Sequence, residues 1–125
     1  MELSCVLIVD DNNSDQFINK DLLESECPDT IILQAYDGEE ALEILDSAEM
    51  KPDLILLDIN MPRMNGHEFL EIYDRKPDSK KPSEVVMLSS SIRDEDRDKA
   101  IVFKCVVDFF QKPLDENHIE SLKMR

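Results

Sequence analysis

A doubly wound α/β fold, one parallel sheet covered by helices on both faces, is the fold class this chain predicts. Three observations carry it. Short apolar runs alternate with helix-patterned segments five times over 125 residues, and unbroken apolar runs of this kind read as strands buried on both faces. Strict β-then-α alternation favours a parallel sheet over an antiparallel one. The runs also end at or beside charged side chains. Leu7-Ile8-Val9 stops at Asp10-Asp11, Leu54-Ile55-Leu56-Leu57 stops at Asp58, and Val106-Val107-Asp108-Phe109-Phe110 stops one residue before Lys112-Pro113.

The first strand is expected over about Cys5 to Val9, with a helix from about Ser14. Asn13 or Ser14 would cap that helix, Phe17, Ile18, Leu22 and Leu23 would form its apolar face, and Pro28 would end it. A second strand follows from Thr30 to Ala35. Asp37-Gly38 then turns into a helix burying Ala41, Leu42, Ile44, Leu45 and Ala48. The third strand runs from about Asp53 to Leu57 and delivers Asp58. After the loop Ile59 to Gly66, a helix buries Phe69, Leu70, Ile72 and Tyr73. Glu84 to Leu88 forms the fourth strand, ending at Ser89-Ser90-Ser91. A charged helix with Ala100, Ile101 and Phe103 leads to the fifth strand, and the last helix covers about Asp115 to Met124. The linkers 49–52 and 76–83 are ordinary loops. One domain over residues 1–125 accounts for every element, and no repeat or low-complexity segment interrupts it.

A formal net charge of −15 argues against nucleic acid as a partner, because phosphate-backbone contacts are carried by Lys and Arg. A metal ion or a cationic protein surface is the natural complement. Cys5, Cys27 and Cys105 are odd in number and too widely spaced for a metal motif. Cys5 and Cys105 sit among apolar residues and read as core. Reduced thiols, no signal-peptide pattern and no membrane-length apolar stretch lead to the expectation of a cytoplasmic protein.

Ligands of open α/β sheets bind outside the carboxyl ends of the strands. Were these strands neighbours, Asp10, Asp11, Asp58 and Lys112 would converge on one rim, a place suited to a hard divalent cation and a phosphoryl group. Three carboxylates together repel one another unless a cation joins them. Helix-cap roles would account for Asp10-Asp11 or Asp58 singly, but Met61-Pro62 and Asn65-Gly66, not a helix start, follow Asp58.

With these motifs in order, the chain resembles the receiver domains of two-component response regulators, the CheY-like family. The resemblance spans essentially all of the chain. It rests on Asp10-Asp11, the block Leu57 to Gly66 around Asp58, Ser89, and Phe109-Phe110-Gln111-Lys112-Pro113. It implies a flavodoxin-like strand order 2-1-3-4-5 and makes Asp58 the phosphoacceptor. It also implies Mg²⁺ held by Asp10, Asp11, Asp58 and the backbone carbonyl of Asn60, with Lys112 pairing to phosphoryl oxygens and a cis Lys112-Pro113 bond. Ser89 and Phe109 become the switch pair, although many members carry Tyr at the aromatic position and Phe109 lacks that hydroxyl. Choosing Ser89 over Ser90 and Ser91 rests on the family pattern. Side chains at Asn60 and Ser91 would tune phosphate lifetime. Cys105-Val106 stands where the family often has Gly-Ala. His67 and His118 are expected to face solvent.

The implied function is transfer of a phosphoryl group from a phosphohistidine, on a sensor histidine kinase or histidine phosphotransfer domain, to Asp58. This would reshape the surface of the fourth helix, fifth strand and fifth helix for a downstream protein. The chain would act as a stand-alone receiver, catalysing only its own phosphorylation and dephosphorylation. Three other readings compete. A Mg²⁺-dependent aspartyl-phosphate hydrolase would place a second acid two residues past the nucleophile, where this chain has Asn60. A receiver-like module that has lost phosphorylation would lack an acid or the lysine. A flavin-binding protein would need a hydroxyl- and glycine-rich phosphate loop where Asp10-Asp11 stand.

Overall fold

A computed structural model describes residues 1–77, 83–90 and 93–125. Ser91, expected to tune phosphate lifetime, lies outside the described residues, as does part of the 76–83 linker. The described residues form β1 (Cys5–Val9), α1 (Asn13–Glu26), β2 (Ile31–Ala35), α2 (Gly38–Ser47), β3 (Leu54–Asp58), α3 (Gly66–Asp74), β4 (Glu84–Ser89), α4 (Asp94–Ala100), β5 (Val106–Gln111) and α5 (Glu116–Lys123). All neighbouring strands pair in parallel, in the order β2-β1-β3-β4-β5. The alternation of runs therefore has the predicted outcome.

Strand periodicity sorts the apolar side chains into two layers. Leu7, Val9, Ile55, Leu57, Val85 and Met87 meet Ala41 and Leu45 of α2, Phe69, Leu70 and Tyr73 of α3, and Ala100 of α4. Their neighbours Val6, Ile8, Leu54, Leu56, Val86 and Leu88 meet Leu23 of α1 and Ile119 and Leu122 of α5. Each central strand is buried on both faces, which is why it reads as an unbroken apolar run.

One irregularity matters for the site. Val85 pairs with Val106, but Val86 pairs with Asp108, so β5 carries one extra residue. A bulge of this kind exchanges the faces of everything beyond it. Phe109 consequently joins the α2–α4 layer and Phe110 the α1–α5 layer. The same slip carries Lys112 to the face shared by Asp10 and Asp58.

Several local expectations change. The cap of α1 is Asn12, whose side chain accepts the Asp15 N–H at 2.9 Å; neither Asn13 nor Ser14 serves. The buried side of α1 is Gln16, Asn19 and Leu23, while Phe17 is 72% and Ile18 48% exposed. Helix α4 ends at Ala100, and Ile101 is exposed rather than buried. Ile72 is also exposed, whereas Phe103 packs on the core. No helix among the described residues is long and apolar enough to cross a membrane.

Candidate functional site

Parallel register places the acidic rim. Val9 pairs with Leu57, so the residues that follow, Asp10 and Asp58, lie side by side at the ends of the two central strands. Asp10 and Asp58 are buried and Asp11 is exposed. One carboxylate oxygen from each of the three lies within 4.8 Å of the others. The hydroxyl-bearing Ser89 ends β4 next door and is buried.

Hydrogen bonds hold this rim in place. Asp10 donates its N–H to the Ala35 carbonyl at 3.0 Å, and its Oδ1 accepts the Asn12 N–H at 2.9 Å. Below it, the buried Gln16 amide nitrogen is within 2.7–3.2 Å of three carbonyl oxygens, those of Ala35, Asp10 and Ile8. Gln16 thereby ties α1 to the carboxyl ends of β1 and β2. The Asn60 N–H lies 3.4 Å from Asp58 Oδ1, a long contact. Asn60 itself is exposed at the start of the following loop.

The loop after Asp58 is closed by the Gly66 N–H donating to the Ile59 carbonyl at 2.9 Å. Asn65 caps α3 in a capping box with Glu68. Arg63 adopts φ 65°, the left-handed region, and pairs with Asp37, the cap of α2. Asp37 is held below the usual carboxylate range, chiefly by the Glu40 backbone N–H.

Lys112 reaches the acids from the position just past β5. Its backbone N–H donates to the Ser89 carbonyl at 2.7 Å, and the Lys112–Pro113 peptide bond is cis. The ammonium lies 2.8 Å from Asp10 Oδ2, 2.9 Å from Asp15 Oδ2 and 3.7 Å from Asp58 Oδ1. Burial opposes that charge, but the bonds to Asp10 and Asp15 and the charge of Asp58 outweigh it and hold the lysine protonated above its ordinary range. Asp58 responds oppositely. Burial, then the charge of Asp10, pushes its carboxyl from 3.8 up to about 7, against the pull of Lys112. The site therefore holds more buried negative charge than one lysine offsets, and three oxygen donors so placed suit a hard divalent cation.

Ser89 and Phe109 lie on the same face of adjacent strands, on diagonal positions, since Phe109 pairs with Met87 and Ser89 with Gln111. The Arg97 guanidinium of α4 lies 5.0 Å from the centroid of the Phe109 ring. The two histidines are each half-buried rather than open to solvent. His67 contacts Asp96 of α4 at 3.3 Å, and His118 stacks on Phe110.

All of the acids and the lysine singled out from sequence meet at one rim. Two of its members gave no such signal. Asp15 looks like an ordinary first-turn acid, and Gln16 looks like a solvent-facing residue on a polar turn. No local pattern marks Asp15, whose partner Lys112 lies 97 residues further along the chain.

Comparison with known proteins gives the family of the chain. Residues 6–122 match the family model described as the response regulator receiver domain. The chain is 36% identical over 112 residues to a protein-glutamate methylesterase/protein-glutamine glutaminase of Thermotoga maritima, covering 86% of this chain and 30% of that protein. It is 38% identical over 96 residues to the nitrate/nitrite response regulator protein NarL of Escherichia coli K12, covering 76% and 42%. The chain spans about three-tenths of the length of the first curated relatives it matches. Among solved structures, a two component response regulator from Cytophaga hutchinsonii superposes with a TM-score of 0.88 at 29% identity, covering 99% of this chain and 96% of that one. The chemotaxis protein CheY4 of Vibrio cholerae gives 0.82 at 25% identity, covering 99% and 98%. The chain belongs to the response regulator receiver domain family, the CheY-like phosphoacceptors of two-component signalling.

Proposed function

We propose that Asp58 is the phosphoacceptor of a single receiver unit spanning residues 1–125, and that its donor is a phosphohistidine on a sensor histidine kinase or histidine phosphotransfer domain. The observation that carries this reading is one ammonium, Lys112, set among Asp10 and Asp58 at the carboxyl ends of the central strands. An Asp58 carboxylate oxygen attacks phosphorus, the new O–P bond forms as the N–P bond to the histidine breaks, and the imidazole leaves with the electron pair. Lys112 offers a point charge to the phosphoryl oxygens as they move onto Asp58. The Ser89 hydroxyl, one strand away, can donate to the same oxygens.

Receiver domains bind Mg²⁺ at an acidic pocket, and the donor set of Asp10, Asp11 and Asp58 fits that ion. Those three side chains and the Asn60 carbonyl would hold it. When bound, it supplies positive charge that keeps Asp58 ionised and offsets the phosphoryl oxygens. Loss of the Ser89 hydroxyl from its resting position frees space beside Phe109, whose ring carries Arg97 of α4. That couples the acceptor to the surface of α4, β5 and α5, offered to a downstream protein by a shift between two populations. A surface carrying a net −15 is poorly suited to nucleic acid and well suited to a cationic protein face. The reading places the protein in the cytoplasm, where its thiols stay reduced.

Incubation with acetyl phosphate and Mg²⁺, followed by intact mass, tests the reading. One added phosphoryl group is expected, absent when Mg²⁺ is chelated and absent in Asp58→Asn. An unmodified chain in a matched set with beryllofluoride also failing to bind would contradict it.

A further inference from the structure

Among the described residues, Asp15 is the partner of Lys112 that the phosphoacceptor reading leaves without a task. Lys112 has three N–H donors. Two of them are satisfied at 2.8 and 2.9 Å by Asp10 and Asp15, whereas Asp58 stands at 3.7 Å, beyond ordinary hydrogen-bond length. A phosphoryl group on Asp58 draws the ammonium toward Asp58 and so against its 2.9 Å contact with Asp15. Asp10 cannot be what holds Lys112 back once it serves as a metal ligand, because its charge is then shared. Asp15 lies outside the metal-binding trio and keeps its hold.

We infer that Asp15 is a positioning residue that parks the Lys112 ammonium, leaving Asp10 open to the metal while delaying the lysine's approach to the acceptor. The inference rests on Asp58 being the acceptor. Asp15 acts only through Lys112 and touches no reacting atom. Its other possible task, a first-turn acid facing the helix dipole, would stabilise α1 and nothing more.

The two tasks separate in Asp15→Asn, which keeps the shape and removes the charge. Without Asp15, Lys112 leans wholly on Asp10 and competes with the cation there. The Mg²⁺ concentration for half-maximal thermal stabilisation, read without any phosphodonor, should rise about threefold. At saturating Mg²⁺ the rate of phosphorylation by acetyl phosphate should instead increase about threefold, since the lysine is released sooner. Asp15→Glu, which restores the charge, should bring both quantities back toward wild type. Opposite movements of metal affinity and rate are the signature. Any other pattern overturns the inference, including no change in either quantity or a fall in both. A wild-type chain that neither binds Mg²⁺ nor takes up phosphate would remove the acceptor reading and this inference with it. A competent wild type with an indistinguishable Asp15→Asn would remove the inference alone.

Discussion

Burial and the charge of Asp10 together make Asp58 a costly group in the metal-free fold, and that cost depends on pH. Its folded carboxyl keeps a proton up to about 7, against an ordinary value of 3.8. Between those values the folded state binds more protons than the unfolded one, so this group's contribution to stability falls as pH rises through the window. Asp58→Asn carries no such charge. With Mg²⁺ chelated it should be more stable than wild type by roughly 2–4 kcal/mol at about pH 8. The gap should close as pH falls below about 4, where both carboxyls are protonated. Chemical denaturation of both proteins across that range reads it directly, and a gap independent of pH would contradict the buried-charge argument. At this scale the sequence was most legible. Asp10, Asp11, Asp58 and Lys112 announce themselves as a set, because each alone is a common way to end an apolar run and only their order along the alternating strands is distinctive. Asp15 and Gln16 do not, since Lys112 lies 97 residues from Asp15, and the carbonyls that Gln16 meets are brought to it only once β1 and β2 pair.

Between residue and fold, the element that determines the setting of Asp58 is the loop from β3 to α3. A Cβ added at Gly66 would sit 2.7 Å from the Asp58 carbonyl oxygen and 3.0 Å from the Ile59 Cα. Both are backbone atoms, of the last residue of β3 and of the one after it, and cannot yield as a side-chain tip would. Gly66→Ala should therefore destabilise the fold by roughly 1–3 kcal/mol and slow phosphorylation by displacing Asp58. Thermal unfolding and the intact-mass assay check both; wild-type values in each would show that the loop tolerates the shift. The existence of all ten elements was readable from apolar period, caps and turn residues. The orientation of α1 was not. Its apolar residues point to a face with Phe17 and Ile18 inside, yet Gln16 and Asn19 occupy the buried side. Carbonyls at the ends of β1 and β2 need a donor, and the Gln16 amide meets that need. The bulge in β5 was equally silent, because one extra residue in an apolar run leaves the run looking the same.

For the molecule as a whole, a parallel sheet with helices on both faces gathers the reactive ends of four strands onto one rim, and the two core layers hold that rim rigid from either side. Adjacency of β1 and β3 is what turns two separate acids into one site, and it follows from the strand order, which local sequence pattern does not encode. Resemblance to receiver domains supplied it. The central claim is that this rim directs a phosphoryl group to one carboxylate, Asp58. Borohydride reduction of the phosphorylated chain, followed by peptide mapping, tests that most directly, because an aspartyl phosphate is reduced to homoserine. Homoserine at position 58 and nowhere else is the predicted result. Homoserine at Asp10 or Asp11, or a phosphoryl group that survives reduction on another side chain, would contradict it.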